Sequence, residues 1–111
     1  MAKYLYLVFT DAVSPEREAE YNEYYSSMHI PDVLDVPGIV GGRRYKVSDT
    51  QGPAFAPLAA GQRYLAAYEI ETDDIRAVDD ELNKRVADGR LRQSDSLQLD
   101  PLPVGVYFEL V

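Results

Sequence analysis

The sequence has no cysteine, no tryptophan and only one histidine. Without cysteine the chain can form neither a disulfide nor a thiolate metal site, and it lacks a thiol nucleophile. A single histidine also excludes a zinc site built from three histidines of one chain. Because neither a Gly-rich phosphate loop nor a G-x-S-x-G elbow is present, we expect no metal and no cofactor.

Positive charge is scarce as well. Eleven Lys and Arg residues face nineteen Asp and Glu residues, for a net charge of -8. Nucleic acid is therefore a poor partner, since its phosphates would be repelled. No apolar run approaches the roughly 20 residues of a membrane-spanning helix, and the first residues lack the pattern of a signal peptide. We expect a cytoplasmic protein that binds neither nucleic acid nor membranes.

The 111 residues, of which 46% are hydrophobic, are enough for one folded domain over residues 1–111. The unusual feature of the composition is nine Tyr beside three Phe. Tyrosine combines a large apolar ring with a hydroxyl that needs a partner when it is buried. So many tyrosines in a small domain indicate either an amphipathic pocket or an interface.

The hydrophobic pattern predicts the order β-α-β-β-α-β. The predicted strands cover residues 4–10, 39–47, 63–71 and 104–110, and a long loop covers 48–62. The first predicted helix begins at Ser14-Pro15 and ends at Pro31, since proline disfavours a helical residue before it. The second begins at Asp74 and ends at Gly89. Gly41 and Gly42 inside the second strand indicate a bulge or a close approach by another group.

This order predicts an α+β, ferredoxin-like βαββαβ fold, with a four-stranded antiparallel sheet and both helices on one of its faces. The helices leave the other face of the sheet uncovered. Pairing two such sheets face to face would bury it, and we therefore expect a homodimer.

His29 is the strongest candidate for chemistry, because it lies where the first predicted helix gives way to a proline turn. Near neutral pH an imidazole can both give and take a proton. Asp32, three residues later, could orient the ring, and Tyr25, one helical turn earlier, should project to the same side. These three form the predicted catalytic set. The alternative is a histidine that only stabilises a helix C-terminus.

The candidate substrate-binding residues are weaker. Each tyrosine could point its hydroxyl into one cavity, or it could pack in the core or in a dimer interface. Arg44 could bind a carboxylate, or it could be solvated or ion-paired. Phe55, in the long loop, could form a lid or contact a partner subunit. The set is Tyr6, Tyr64, Tyr68, Tyr107, Arg44 and Phe55.

The stretch from Tyr21 to Tyr45 resembles the EthD-like family of dimeric α/β-barrel proteins. Its motif is a helix of the type Y-x-x-W/Y-Y-x-x-x-H-I-P-D, followed by V-P-G-hydrophobic and R-Y. The sequence matches this motif at Tyr21, Tyr24, Tyr25 and residues 29–32, and then at residues 36–39 and 44–45. It differs from many relatives in having Tyr24 where they have Trp. The resemblance implies a dimeric α/β barrel with a cavity between sheet and helices and the histidine beside it.

Relatives of this fold include polyketide cyclases, cofactor-free oxygenases, muconolactone isomerases and small lyases. The resemblance therefore implies a cofactor-independent lyase, cyclase or isomerase that uses acid/base chemistry on a small aromatic or polyketide-like molecule, with His29 as base or acid. Two alternatives remain at this point: a non-catalytic small-molecule binding protein, and a cofactor-free monooxygenase of phenols. Haem ligation by His29 is less favoured.

Overall fold

Four antiparallel strands form one sheet in the order β2-β3-β1-β4. The computed structural model describes residues 1–54 and 61–111. The strands are β1 (Ala2–Thr10), β2 (Ile39–Lys46), β3 (Tyr64–Thr72) and β4 (Val104–Glu109). β1 lies at the centre, paired with β3 on one side and with β4 on the other. The predicted ferredoxin-like topology is confirmed, with strand ends close to the predicted ones.

The helices are α1 (Glu18–Tyr24), α2 (Ile30–Leu34) and α3 (Ile75–Ala87). A short 3-10 turn (Pro15–Arg17) precedes α1, and a π turn (Tyr25–His29) joins α1 to α2. The first helical stretch therefore runs from residue 15 to residue 34. The second, α3, begins after Asp74, whose side chain accepts a hydrogen bond from the Ala77 N–H at 3.1 Å.

Pro31 does not end the first helical stretch, contrary to the sequence prediction. In an α-helix the Pro31 ring would collide with the carbonyl four residues earlier. The π turn widens the backbone just before it, as shown by the bond from the Ile30 N–H to the Tyr25 carbonyl. Pro31 then occupies the first turn of α2, where a missing N–H costs nothing. The helix ends instead at Leu34.

The two glycines of β2 lie at a bulge and at a close approach by a side chain, which are the two features that the sequence indicated. The register with β3 shifts between Ile39 and Gly41, which marks a bulge. A Cβ on Gly42 would lie 2.9 Å from the Tyr68 ring. Only glycine therefore allows the Tyr68 ring to lie flat against β2, and this close approach fixes the position of that ring in the core.

The two faces of the sheet differ in their covering. Tyr64, Ala66, Tyr68 and Ile70 of β3 are buried beneath the helices, on what we call the helix face. Alternate residues point to the other, open face. Large apolar side chains remain exposed there, among them Leu5, Val40, Tyr45, Val104 and Phe108. In the described residues, no helix is long and apolar enough to cross a membrane.

Candidate active site

A cavity of about 200 Å³ lies between the helix face of the sheet and the helices. The sheet supplies Tyr6, Val8, Thr10 and Tyr68, and the first helical stretch supplies Tyr25, His29 and Val33. α3 and the connection after it, which we call the strap (residues 90–103), complete the wall. The wall is mostly apolar, with a few polar groups that converge on one space. Such a cavity is the usual setting of a small-molecule site.

The π turn brings two tyrosines to the imidazole of His29. The Tyr25 ring lies 4.5 Å from the His29 ring between centroids, and the Tyr24 ring lies 5.9 Å from it. In an α-helix a residue five positions before another does not share its face. In a π turn, residues i and i+5 are hydrogen-bonded neighbours. The widened turn thus places both tyrosines beside the histidine.

The hydrogen bonds of Tyr24 assign the tautomer of His29. The Tyr24 hydroxyl donates its single hydrogen to the Arg92 carbonyl at 2.9 Å, since a carbonyl can only accept. The same oxygen lies 3.3 Å from Nδ1 of His29. Nδ1 must therefore carry the hydrogen and donate it to Tyr24. Nε2 is left without a hydrogen, as a free acceptor or base.

Burial keeps His29 neutral. The desolvation of the partly buried ring lowers the pKa of His29 to about 4, although the nearby Asp32 carboxylate acts in the opposite direction. Burial also raises the pKa of Tyr24 to about 12, so its hydroxyl keeps its hydrogen at neutral pH. The pair is therefore a neutral phenol and a neutral imidazole across the physiological pH range.

Two tyrosines of the cavity wall, Tyr25 and Tyr68, have hydroxyls that lie close to each other but form no hydrogen bond of standard geometry in the described part of the chain. Both residues are 1% exposed. A buried hydroxyl without a partner costs about 1–3 kcal/mol. Burial raises the pKa of both phenols, so both remain protonated donors. An oxygen atom in the cavity would satisfy them.

Arg44 lies behind the cavity wall and not in it. Its guanidinium carbon is 4.6 Å from the centroid of the Tyr25 ring and 5.2 Å from those of Tyr21 and Tyr64. Its Nη1 donates to the Ser26 hydroxyl at 3.1 Å, and its Nη2 is buried without a partner among the described residues. Arg44 is thus partly buried, and among the described residues it contacts aromatic rings and forms no ion pair.

Asp32 makes no hydrogen bond to His29 within residues 1–54 and 61–111, so the predicted orienting contact is absent. Both of its oxygens are held by Arg92, through the guanidinium at 2.8 and 2.9 Å and the backbone N–H at 3.0 Å. The physical reason is the π turn, which directs Asp32 toward the strap while Tyr24 takes the place beside Nδ1. Asp32 acts on the imidazole through its charge and through the strap.

The remaining predicted residues lie in different surroundings. Tyr6 lines the cavity, and Tyr107 stacks on it at 4.2 Å between centroids while donating to the Asp79 carboxylate at 2.7 Å. Tyr64 lies elsewhere, since its hydroxyl donates to Glu18 at 2.5 Å and accepts from Asn22 at 3.3 Å. Phe55 lies outside the residues that the structure describes.

Sequence reasoning missed Tyr24 as a site residue, and it missed Arg92 entirely. Tyr24 belongs to the same motif, but an α-helical model places it on a different face from His29. Tyr24 could have been identified only by interpreting the H-I-P sequence as the end of a π turn, which brings the residue five positions before His29 next to it. Arg92 lies in the irregular strap and carries no sequence signal. Among the described residues no group of three potential metal ligands occurs.

Comparison with known proteins identifies the fold. No protein-family model and no curated protein matches the chain. An EthD family protein from Bacillus halodurans C-125 superimposes with a TM-score of 0.59 at 14% identity, over 100% of both chains. A dimeric ferredoxin-like protein of unknown function from Thermobifida fusca YX gives 0.51 at 16% identity, over 98% of this chain and 92% of its own.

A proposed monooxygenase from Shewanella loihica PV-4 gives a TM-score of 0.58 at 12% identity, over 100% of this chain and 97% of its own. At such identities a structural likeness establishes the fold and not the activity. The chain has the EthD-like, ferredoxin-like fold that its sequence predicted.

Proposed function

We propose that this protein is a cofactor-independent enzyme that moves a proton on a small oxygen-bearing ring compound held in the cavity, as a lyase, cyclase or isomerase does. The observation that carries the proposal is that a neutral histidine and two tyrosines, whose hydroxyls have no partner among the described residues, line the same cavity. A base and hydrogen-bond donors around one enclosed space are the components of proton-transfer catalysis.

The size of the cavity limits the substrate. A cavity of about 150 Å³ is known to hold benzene, so about 200 Å³ accommodates a single ring with one or two substituents. A multi-ring polyketide would require the strap to move. Within the aromatic or polyketide-like class implied by the sequence resemblance, the cavity therefore favours a monocyclic compound.

The roles follow from the contacts. His29 takes a proton through Nε2, while Tyr24 holds Nδ1–H and so fixes the ring. Tyr25 and Tyr68 donate to a substrate oxygen, and Tyr6 packs against the ring of the substrate. A base whose pKa is about 4 is weak near neutral pH. The reaction therefore requires a substrate whose proton is already acidic or whose anion the site stabilises.

The test measures proton exchange directly. Protein is incubated in D₂O with single-ring ketones such as cyclohexanone, and the loss of the hydrogens next to the carbonyl is followed by NMR. General base catalysis typically contributes about 10²–10⁴-fold, so His29→Ala should lose that factor. Met28→Ala, which truncates the exposed neighbouring residue, is the matched control and should retain the rate. Exchange that is equally fast in both variants would remove the proton-transfer mechanism.

Two other functions use the same cavity. A non-catalytic binding protein would bind a ring compound saturably with no proton exchange in any variant. A cofactor-free monooxygenase of phenols has the support of one structural neighbour, the proposed monooxygenase from Shewanella loihica. Oxygen consumption in the presence of a monocyclic phenol separates it from the leading proposal.

We further propose that the chain works as a homodimer through the open face of the sheet. Apolar side chains of three strands are exposed on this face. Exposed apolar surface of this kind commonly marks a protein–protein contact. One structural neighbour of the same fold is a dimeric ferredoxin-like protein. Pairing two open faces would close the two sheets into an α/β barrel and leave both cavities, on the helix faces, accessible.

A further inference from the structure

One end of the cavity carries hydrogen-bond donors and positive charge that the described residues do not neutralise. The hydroxyls of Tyr25 and Tyr68 are buried and unpartnered. Behind the Tyr25 ring lies the Arg44 guanidinium, which forms no ion pair within the described part of the chain. The carboxylate of Glu18 nearby is already engaged by Arg63 and Lys46. Buried charges in proteins are normally paired.

From this arrangement we infer that the end of the cavity formed by Tyr25 and Tyr68, with Arg44 behind the Tyr25 ring, binds a negatively charged oxygen of the ligand, so that the substrate is a monocyclic compound whose carbonyl or hydroxyl becomes an enolate or phenolate. The inference rests on the proposed function and adds the class of substrate. It explains how a weakly basic imidazole can remove a proton: the anion that forms is stabilised by hydrogen-bond donors of the same site.

The step balances without any other reactant. Nε2 of His29 takes the proton from a C–H next to a carbonyl, and the electron pair of that bond forms a C=C bond. The carbonyl π electrons move to the oxygen, which becomes the oxyanion held by the two phenols. Return of the proton from the imidazolium to another carbon of the same conjugated system completes an isomerisation. For a phenol, the O–H bond breaks, its proton passes to Nε2 of His29, and its electron pair stays on the oxygen as the phenolate.

The charges around the cavity determine which end of it favours a negatively charged oxygen. At the far end, the Asp79 carboxylate of α3 accepts from Tyr107, and burial together with this carboxylate raises the pKa of both Tyr6 and Tyr107. Near the strap, the Asp32 carboxylate is bound by Arg92. Arg44 acts on the opposite side, and its charge opposes the burial that raises the pKa of Tyr25 and Tyr68. The cavity is therefore polarised, with its positive end at Tyr25 and Tyr68.

The test uses 4-nitrophenol, whose anion absorbs visible light and whose ionisation in water occurs near neutral pH. 4-Nitrotoluene, of nearly the same shape but without an ionisable hydroxyl, is the reference probe. Titration of the protein-bound 4-nitrophenol should show a pKa about one unit lower than in water, so that the anion binds about tenfold more tightly than the neutral form.

Two variants locate the effect. Arg44→Met keeps an unbranched, flexible side chain but removes the guanidinium and its charge, and Arg43→Met, on the open face of the same strand, is the matched control. Arg44→Met should remove most of the tenfold preference and Arg43→Met none. Tyr68→Phe removes a donor that has no well-formed hydrogen bond among the described residues, so the unliganded protein should be no less stable, while its preference for the anion should fall.

The possible results separate the inference from the proposed function. A lowered pKa that Arg44→Met and Tyr68→Phe restore supports the inference. Binding of 4-nitrophenol and 4-nitrotoluene with equal affinity and no change in pKa overturns it, while the cavity remains a site for a ring compound. If neither probe binds, the cavity is no ligand site, and both the inference and the proposed function are wrong.

Discussion

Removing one hydroxyl should change which nitrogen of His29 carries its hydrogen. In Tyr24→Phe the ring remains, but the oxygen that accepts from Nδ1–H at 3.3 Å is lost. A net hydrogen bond contributes about 1 kcal/mol to the state that makes it. The ratio of the Nδ1–H to the Nε2–H tautomer should therefore fall about fivefold. Since Nε2 would then carry the hydrogen in a larger share of molecules, catalysis through a free Nε2 should fall in parallel.

The chain is unusually suited to this measurement because it has only one histidine. In protein labelled with ¹⁵N-histidine, a two-bond correlation spectrum shows one Nδ1 and one Nε2 resonance. Each has a distinct chemical shift in its protonated and unprotonated states. At pH 7 we expect the wild-type Nδ1 to be protonated and Nε2 unprotonated. In Tyr24→Phe both shifts should move toward their averaged values.

Tyr45→Phe provides the control, since it also removes one tyrosine hydroxyl but from a half-exposed residue of the open face. Its histidine spectrum should match that of the wild type. A wild-type spectrum with Nε2 protonated would refute the assignment at once. An unchanged spectrum in Tyr24→Phe would show that Tyr24 does not fix the tautomer, whatever the effect of the variant on activity.

Three further measurements test other parts of the structure. The pKa of His29 is about 4 in the folded chain and near the ordinary 6.5 in the unfolded chain, so only the unfolded chain binds a proton between these values. In urea titrations the free energy of unfolding should therefore fall by about 2 kcal/mol from pH 7 to pH 5. His29→Gln should abolish this fall. Phe108→Glu on the open face should convert the proposed dimer to a monomer in light scattering, whereas Leu99→Glu, similarly exposed but outside the sheet, should not. Asp32→Asn should speed amide hydrogen exchange at Arg92, because the Asp32 carboxylate accepts from the Arg92 backbone N–H and guanidinium. Unchanged exchange would show that Asp32 does not hold the strap.

The fold was predictable because its signals are local and repeated. Alternating apolar residues mark each strand, and the order of strands and helices leaves few topologies. Residues that share a face by period, such as Tyr64 and Tyr68 of β3, do so in the structure. The bulge at Gly41 was likewise visible from two glycines inside an otherwise regular strand.

The partners of the side chains were less predictable, because they depend on segments that are distant in the sequence. Tyr64 follows the same strand periodicity as Tyr68, but Glu18 and Asn22 capture its hydroxyl away from the cavity. Arg92 lies 60 residues after Asp32 and holds it through three hydrogen bonds. Periodicity determines the face of the sheet on which a residue lies, but not which of several neighbours takes its polar group.

The π turn connects the local sequence to the site. Pro31 is incompatible with an α-helix that continues through residue 27, and a wider turn is the way this helix continues past it. The same widening rotates the preceding residues, so that Tyr24 and Tyr25 both reach His29 and Asp32 turns toward Arg92. A substitution of Pro31 that allowed a regular α-helix would separate Tyr24 from Nδ1 without altering any residue of the cavity wall. Pro31 thus shapes the proposed site as well as the helix, because the π turn before it determines which side chains lie beside the His29 imidazole.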